Sequence, residues 1–395
     1  MKNLNLYFAR TFLVATLILV SCSTYSQKKN TERKLTTIEY APFSDNTGHW
    51  YSIADKHNVI NALPDRPRYK PTEITAIADN MLLFQKNNGG WPKNYDFFAI
   101  LTPEQKKLVQ TSKAETNTTF DNGNTYTQIA ALAIAYQATK VEKYKTGCLK
   151  GLNFVLRAQF KNGGWPQYYP IEPNNYSSHI SYNDDAMLGI MQLLKDITDG
   201  DELYSFIDRQ FKAKLQTAYN NGLDCILKTQ INDAGKLTAW CQQYDEVTLQ
   251  PAWARKFEPP CICNKESSGL VLFLMSIEHP SKEIIAAVDN AVAWFEASKI
   301  YNIKVKTIPA VKTITPFKIS VADKIILSDS TAAPIWTRYY ELKTHRPMFC
   351  NRDSKVVYTL AEVSRERRDG YGWYTYAPQE VLKKYTYWKK KVNSL

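Results

Sequence analysis

The sequence predicts an all-α-dominated fold, a ring of helix pairs forming an α/α toroid, with a small β-rich appendage near the C-terminal part. Three observations predict it. First, a turn cassette, Gln85-Lys86-Asn87-Asn88-Gly89-Gly90-Trp91-Pro92, has a near copy in Gln159-Phe160-Lys161-Asn162-Gly163-Gly164-Trp165-Pro166, with the glutamines 74 residues apart. Second, each cassette leads to a polar cluster, Thr119-Phe120-Asp121-Asn122 in the first copy and Asn183-Asp184-Asp185 in the second. Third, each cluster opens a long apolar segment. One such helix pair cannot bury its apolar face alone, whereas stacked pairs can, and loops of like placement then gather at one end of the ring.

The N-terminus reads as a targeting segment. Lys2 and Arg10 supply positive charge, and Thr11 to Val20 is an apolar run too short to span a membrane. The run ends Leu19-Val20-Ser21-Cys22, similar to the lipobox of bacterial lipoproteins. Residues 1–21 are therefore expected to be a lipoprotein signal peptide with a lipid on Cys22, and ordinary cleavage near Ser26 is the alternative. Either route takes the chain out of the cytoplasm, to a lipid-anchored place in the cell envelope or periplasm, or to the medium. Residues 22–70 are polar and contain prolines, and read as anchor linker and irregular lead-in; residues 71–395 form the toroid domain.

Helices are expected over the stretch beginning Ile74 and ended by the first cassette, and over Thr125 to Lys140, which is apolar on most sides and so buried. The second unit repeats the plan with helices over Cys148 to Gln159 and Ala186 to Ile197. In each cassette Gly-Gly frees the backbone and proline forbids continuation. A degenerate third unit follows, with helices over Ala218 to Gln230 and Glu266 to Ile277 and the turn Asn232-Asp233-Ala234-Gly235 leading to Trp240. Tyr301 to Thr315 and Lys318 to Leu327 alternate and read as strands broken by Pro309. The tail from Asp329 onward is rich in arginine and aromatic residues.

Composition narrows the function. The chain has 395 residues, is 44% hydrophobic and carries a formal charge of +12, which becomes +10 when Lys2 and Arg10 leave with the signal segment. That balance suits an anionic partner such as an acidic polysaccharide, although solubility alone is an alternative reason. No Lys/Arg block is long enough for a nucleic-acid arm. The cysteines other than Cys22 permit disulfides in an exported chain but do not assign them, and Cys261-Ile262-Cys263 lacks the second pair a zinc site needs. The histidines are scattered singly, and no Ser-His-Asp order can be built from them.

The candidate chemistry lies in carboxylates and one arginine. Asp121 and Asp184 could each be helix N-caps, worth ~1 kcal/mol. Matched places in a repeat favour a shared site, and oxygen donors of this kind suit a hard cation, calcium by default. The degenerate third unit lacks the acidic motif and carries Arg255, in Thr238 to Glu258; a surface salt bridge with Glu258 is the bland reading of that arginine. Asp121 and Asp184 could also be the acid pair of a glycoside hydrolase.

The motifs NGGWP (twice), TFDNGNT, HISYNDDAM, TAWCQQYDEVTLQPAWARKFE, RPMFCNRD and ERRDGYGWY, from about Asn88 to Tyr374, together resemble the pectate lyases of polysaccharide lyase family 10. The resemblance implies an (α/α)3 toroid and calcium-dependent β-elimination on polygalacturonate. It puts the catalytic arginine on Arg255 and the acidic motifs on Asp121 and Asp184, with Asp184 and Asp121 toward Ca2+. The family's substrate-binding arginine falls on Arg352, with Arg346 close by. Asn122 beside Asp121, and Arg338, Arg346, Arg352, Arg368 and Tyr371 in the tail, are the candidates for holding uronates. A cation-lined cavity is expected to lower the Arg255 pKa. Asn124 stands where the resemblance leads one to expect alanine. The expected enzyme is a monomer whose partner is polygalacturonate or pectin, with the membrane involved only through the anchor. The alternatives are a hydrolase of uronic glycans and a non-catalytic surface binder of acidic polysaccharide.

Overall fold

The structure, a computed structural model, describes residues 36–48, 58–173, 175–316 and 319–394. The expected signal peptide and Cys22 lie outside them. Eleven α-helices run in chain order among the described residues: α1 (Ser44–Gly48), α2 (Ile74–Phe84), α3 (Pro103–Thr111), α4 (Tyr126–Thr139), α5 (Glu142–Ala158), α6 (Ala186–Thr198), α7 (Arg209–Lys228), α8 (Asn264–Met275), α9 (Lys282–Ala297), α10 (Arg365–Gly370) and α11 (Ala377–Asn393). Three of those the periodicity did not single out have clear starts. Thr102 and Gln105 close a capping box at α3, Ser281 caps α9, and α11 begins with proline in its first turn.

The predicted pairing is observed. Helices α4, α6 and α8 form the inner row, and α2, α5, α7 and α9 pack outside them. A cavity of about 530 Å³ lies along the inner row, lined by Tyr126, Asp185, Leu188, Gln192 and Leu272 among others. The repeat has a physical basis in two bonds per unit. The indole N–H of Trp91 donates to Met81 O, that of Trp165 to Val155 O and that of Trp240 to Ile226 O, at 2.8, 2.9 and 2.8 Å, which fixes each turn on its own outer helix. The glutamine that ends each outer helix reaches forward instead. Gln85 Nε2 donates to Gly147 O on α5, Gln159 Nε2 to Ala218 O on α7, and Gln230 Nε2 to Ala287 O on α9. Each unit is thus stitched to the next through buried amides, so the third unit is as regular as the others despite its lost GGWP.

Close approach explains the glycines of the cassette. Gly163 has φ of 94°, and a Cβ there would lie 1.9 Å from the carbonyl oxygen of Asn221 on α7.

The architecture continues past the three expected pairs. Trp336 donates its indole N–H to Phe295 O on α9, the same bond as in the cassettes, and α11 packs against α8 and α9. The β-rich appendage is an excursion inside this fourth unit. It is a hairpin of strands Ile303–Ile314 and Ile319–Ser328. Proline does not break it as expected: Pro309 stays in register opposite Ala322, and the ladder shifts by a bulge between Pro309 and Thr313.

The lead-in is more than a linker. Ile38 and Phe43 are buried, and Phe43 packs on Phe97 and Phe98. Cys148, Cys225, Cys241, Cys261, Cys263 and Cys350 are all buried and free. No helix among the described residues is long and apolar enough to cross a membrane.

Candidate active site

The two polar clusters fold into single 3-10 turns, Asp121–Gly123 and Asn183–Asp185, which lie against each other where α4 and α6 begin. Both turns pass through the left-handed region, at Asn122 (φ 54°) and Asp184 (φ 47°), a conformation that Asn and Asp tolerate better than other side chains with a Cβ. The turns, and not the helix caps, are therefore what the repeated Asn and Asp supply: neither Asp121 nor Asp184 makes a side-chain capping bond to its helix.

Asp121 is fully engaged. Its Oδ2 pairs with Lys93, and its Oδ1 accepts from Gln167 Nε2 at 2.8 Å. Burial works against the charge on Lys93, but Asp121 outweighs it and raises the Lys93 pKa. Asn122 donates to Asp45 Oδ2 at 2.7 Å, which ties the turn to α1. Asn124 does the same from the other side, accepting from Asn46 Nδ2 at 2.6 Å and donating to Trp91 O. The unexpected asparagine is the bolt between lead-in and first cassette.

Asp184 is freer. Its Oδ2 accepts from Asn183 Nδ2 at 2.7 Å, its Oδ1 is 3.5 Å from Lys265 Nζ, and the side chain is 27% exposed. Burial would raise its pKa, but Lys265, Arg338 and Arg255 together hold it below the usual carboxylate range. Asp185 behaves oppositely: burial, aided by Glu266 and Asp184, pushes its carboxyl up. In the third unit Lys265 lies beside Glu266 in the first turn of α8, so the second acidic loop faces a cation.

Arg255 sits on a tight turn whose residues the sequence already contains. Glu258 is 1% exposed and accepts from Arg255 three times, from the backbone N–H at 3.1 Å, from Nε at 2.8 Å and from Nη2 at 2.5 Å. Nη1 makes no hydrogen bond among the described residues, and the arginine side chain is 41% exposed. The Phe257 ring gathers three guanidinium groups, Arg255 and Arg352 each 5.0 Å from its centroid and Arg367 at 4.3 Å. The expected fall in the Arg255 pKa is not found in this arrangement. Burial disfavours its charge, yet the hydrogen-bonded Glu258 carboxylate more than compensates and raises it. The guanidinium pushed down is that of Arg367, by burial together with Arg352 and Arg255, against the opposing pull of Glu366.

The tail residues divide. Arg352 lies beside Arg255 and is held by both oxygens of Glu366 at 2.9 Å, which separates it from Arg346. Arg346 stacks on Tyr358, 3.7 Å from the ring centroid, at the turn that also holds Glu341. Arg338 is buried, binds Glu266 at 2.5 Å and stacks on Tyr371, and its charge helps to lower the Asp184 pKa. Arg368 is a structural clamp: Nε and Nη2 grip Asp323 on the hairpin at 2.6 and 2.7 Å, and Nη1 donates to Ala361 O and Val363 O. Tyr371 spends its hydroxyl on Glu258 and Tyr339. Arg338, Arg368 and Tyr371 thus each hold a carboxylate of the protein in this structure, Glu266, Asp323 and Glu258 respectively. Arg368→Ala is expected to loosen the hairpin, read as faster proteolysis there, while leaving KM for substrate within about twofold, as surface changes away from a site do.

The sequence reading missed Lys93, Lys265, Phe257 and Arg367. A lysine in the first turn of α8, where the helix dipole disfavours it, was the available signal for Lys265. Among the described residues, His179, Asp245 and Glu246 bring ligand atoms within 4.8 Å of one another, whereas the expected pair Asp121 and Asp184 forms no such cluster. His179 and Glu246 there are accounted for as a pair at 2.8 Å, and Asp245 Oδ1 closes its own turn through the N–H groups of Val247 and Thr248.

Comparison with known proteins agrees with the motifs. The profile of the pectic acid lyase family matches residues 85–382. A mutant of the family 10 polysaccharide lyase from Cellvibrio cellulosa, with an aspartate changed to alanine and in complex with trigalacturonic acid, is similar at a TM-score of 0.66 and 28% identity, over 80% of this chain and 92% of that one. The family 10 polysaccharide lyase from Cellvibrio cellulosa is also similar, at a TM-score of 0.67 and 26% identity, over 91% of this chain and 99% of that one. No curated protein matches the chain.

Proposed function

The chain belongs to the pectic acid lyase family, and on that premise we propose that it cleaves polygalacturonate by calcium-dependent β-elimination, with Arg255 as the base. The observation that carries the reading is the guanidinium cluster on Phe257 lying within electrostatic reach of the ionised Asp184. The complex of a similar lyase with trigalacturonic acid supports the substrate class. A hydrolase needs one carboxyl kept protonated beside an ionised one. Of the pair Asp121 and Asp184, Asp184 is held ionised. Both oxygens of Asp121 are taken as acceptors by Lys93 and Gln167, which leaves no free oxygen to carry the acid's proton.

The residues around Asp184 fit a hard cation. Asp184 is ionised, and the neighbouring Asn183 Oδ1 is a buried oxygen with no hydrogen-bond donor. Both are oxygen donors of the kind calcium takes, and because calcium takes roughly six to eight, uronate carboxylates and water must complete the set. Asp121, with both oxygens engaged, serves beside it by holding Lys93 at the cleft. When bound, calcium would neutralise the uronate carboxylate and make the C5 proton more acidic.

The chain's own residues do the rest. Arg352 and Lys265 supply donors for further uronate carboxylates, which sets the sugar across the cleft. Arg255 presents Nη1, the nitrogen without a partner, to C5. The proton moves to Arg255, the C5–H electron pair becomes the C4=C5 bond, and O4 leaves with the electrons of the C4–O4 bond and takes a proton from water. The guanidinium must first give up a proton to water, a loss that the Glu258 carboxylate opposes in the free chain and that a bound cation beside Asp184 would favour. The product is a 4,5-unsaturated oligogalacturonide. We also propose that the chain acts outside the cytoplasm as a monomer, anchored through Cys22.

The test is direct. Purified protein with polygalacturonate and calcium is expected to generate the ultraviolet absorbance of an unsaturated uronate, and a chelator to abolish it. Saturated products would establish a hydrolase, and binding without cleavage would establish a glycan binder.

A further inference from the structure

Glu258 is buried behind Arg255 at the end of a chain of polar groups with a definite direction. Tyr371 Oη donates to Glu258 Oε1 at 2.9 Å and lies 2.6 Å from Tyr339 Oη, which in turn lies 2.9 Å from the Gln242 amide. Each tyrosine has a single hydroxyl proton. The Tyr371 proton goes to the carboxylate, so the Tyr339 proton must go to Tyr371, and the Gln242 amide must donate to Tyr339. Gln242 Nε2 is otherwise buried and unpaired, and turning the amide over brings this donor to Tyr339, because the oxygen and nitrogen of an amide are interchangeable in shape. Every proton from Gln242 through Tyr339 and Tyr371 then points at Glu258.

We propose that Gln242, Tyr339, Tyr371 and Glu258 form a positioning relay for Arg255, which locks the guanidinium with Nη1 turned to the cleft. The proposal rests on the reading of Arg255 as the base. Arg255 itself is attached by Nε, Nη2 and its own backbone N–H to the two oxygens of one buried carboxylate. With Nε and Nη2 both held, the guanidinium plane cannot rotate. The relay therefore fixes the orientation of the base, and it accounts for the Tyr371 hydroxyl, which the sequence reading placed on substrate, being bonded to Glu258 instead.

The experiment uses Tyr371→Phe and Glu258→Gln in the full chain, with calcium and polygalacturonate. Tyr371→Phe removes one hydroxyl and keeps the ring that stacks on Arg338, Phe257 and Trp373. It is expected to lower kcat about 10-fold with KM unchanged, and Glu258→Gln to lower kcat on the order of 10²-fold with KM again unchanged, the loss a small misplacement of a reacting group produces. Melting curves identify a variant that fails to fold, and Tyr371→Phe, which removes no charge, then decides alone. A rise in KM with kcat retained would show that Tyr371 binds substrate and would overturn the relay, as would wild-type kcat in both variants. If the wild type releases no unsaturated product, it is the lyase reading that fails. Wild-type elimination with unaffected variants fails the relay alone.

Discussion

Arg255→Lys and Arg255→Ala are each expected to lower kcat on polygalacturonate on the order of 10³-fold, within the range of a lost general base. That corresponds to about 4 kcal/mol of transition-state stabilisation. The lysine variant is the cleaner probe. It keeps a positive charge beside Glu258 and Phe257, but it has one nitrogen where Arg255 uses Nε and Nη2 for attachment and Nη1 for the cleft. An ammonium that satisfies the buried carboxylate has nothing left to reach C5. The alanine variant carries a second penalty, because Glu258, 1% exposed, becomes a buried charge without its cation. Such a loss costs about 3–5 kcal/mol, so its melting temperature should fall as well. Glu258→Gln on that background should restore stability and leave turnover lost. Calorimetry should find oligogalacturonide binding retained in the lysine variant, since Arg352 and Lys265 remain. Near-normal kcat in Arg255→Lys would remove Arg255 as the base, and a raised KM at full kcat would make it a carboxylate anchor.

Much of this site was legible in the sequence, and the reason is the repeat. Gln85, Gln159 and Gln230 align because each makes the same pair of amide bonds, and Trp91, Trp165 and Trp240 because each makes the same indole bond. Physical constraints that recur leave a recurring trace, so the helix pairs, the turns between them and the two acidic loops were all visible. The fourth unit escaped because a long hairpin separates α9 from Trp336, which removes the spacing that would betray it.

The arginines were not legible for a different reason. What decides their roles is a partner far away in the chain. Arg338 meets Glu266 across 72 residues and Arg368 meets Asp323 across 45, so a count of cations in the tail cannot separate those already neutralised from those facing the cleft. Glu258 is the converse case. Its spacing from Arg255 did suggest an ion pair, but on the surface, where such a pair is worth at most about 1 kcal/mol. Burial alone turns the same pair into the anchor of the site.

The second large effect is expected at Asp184. Asp184→Asn keeps the size of the side chain and the left-handed backbone that Asn also accepts, and it removes the charge. The half-maximal calcium concentration is expected to rise by roughly 10-fold or more, and turnover at low calcium to fall on the order of 10²-fold, about 3 kcal/mol at the transition state. Stability should hardly change. The charged group in contact with Asp184 is the half-exposed Lys265 at 3.5 Å, with Arg338 and Arg255 acting from farther off, and a partly exposed pair of that kind contributes about 1 kcal/mol. Asp121→Asn should behave in reverse. Its carboxylate is the partner of Lys93, whose side chain is 16% exposed, so removing the charge strands a nearly buried ammonium and lowers the melting temperature whether or not calcium is present. Thermal melts and initial rates over a calcium series on the two variants separate a ligand from a structural partner. If Asp184→Asn reaches full turnover at wild-type calcium, Asp184 is no ligand. If excess calcium restores the rate of Asp184→Asn but not that of Asp121→Asn, the division of labour between the two loops is the one their hydrogen bonds imply.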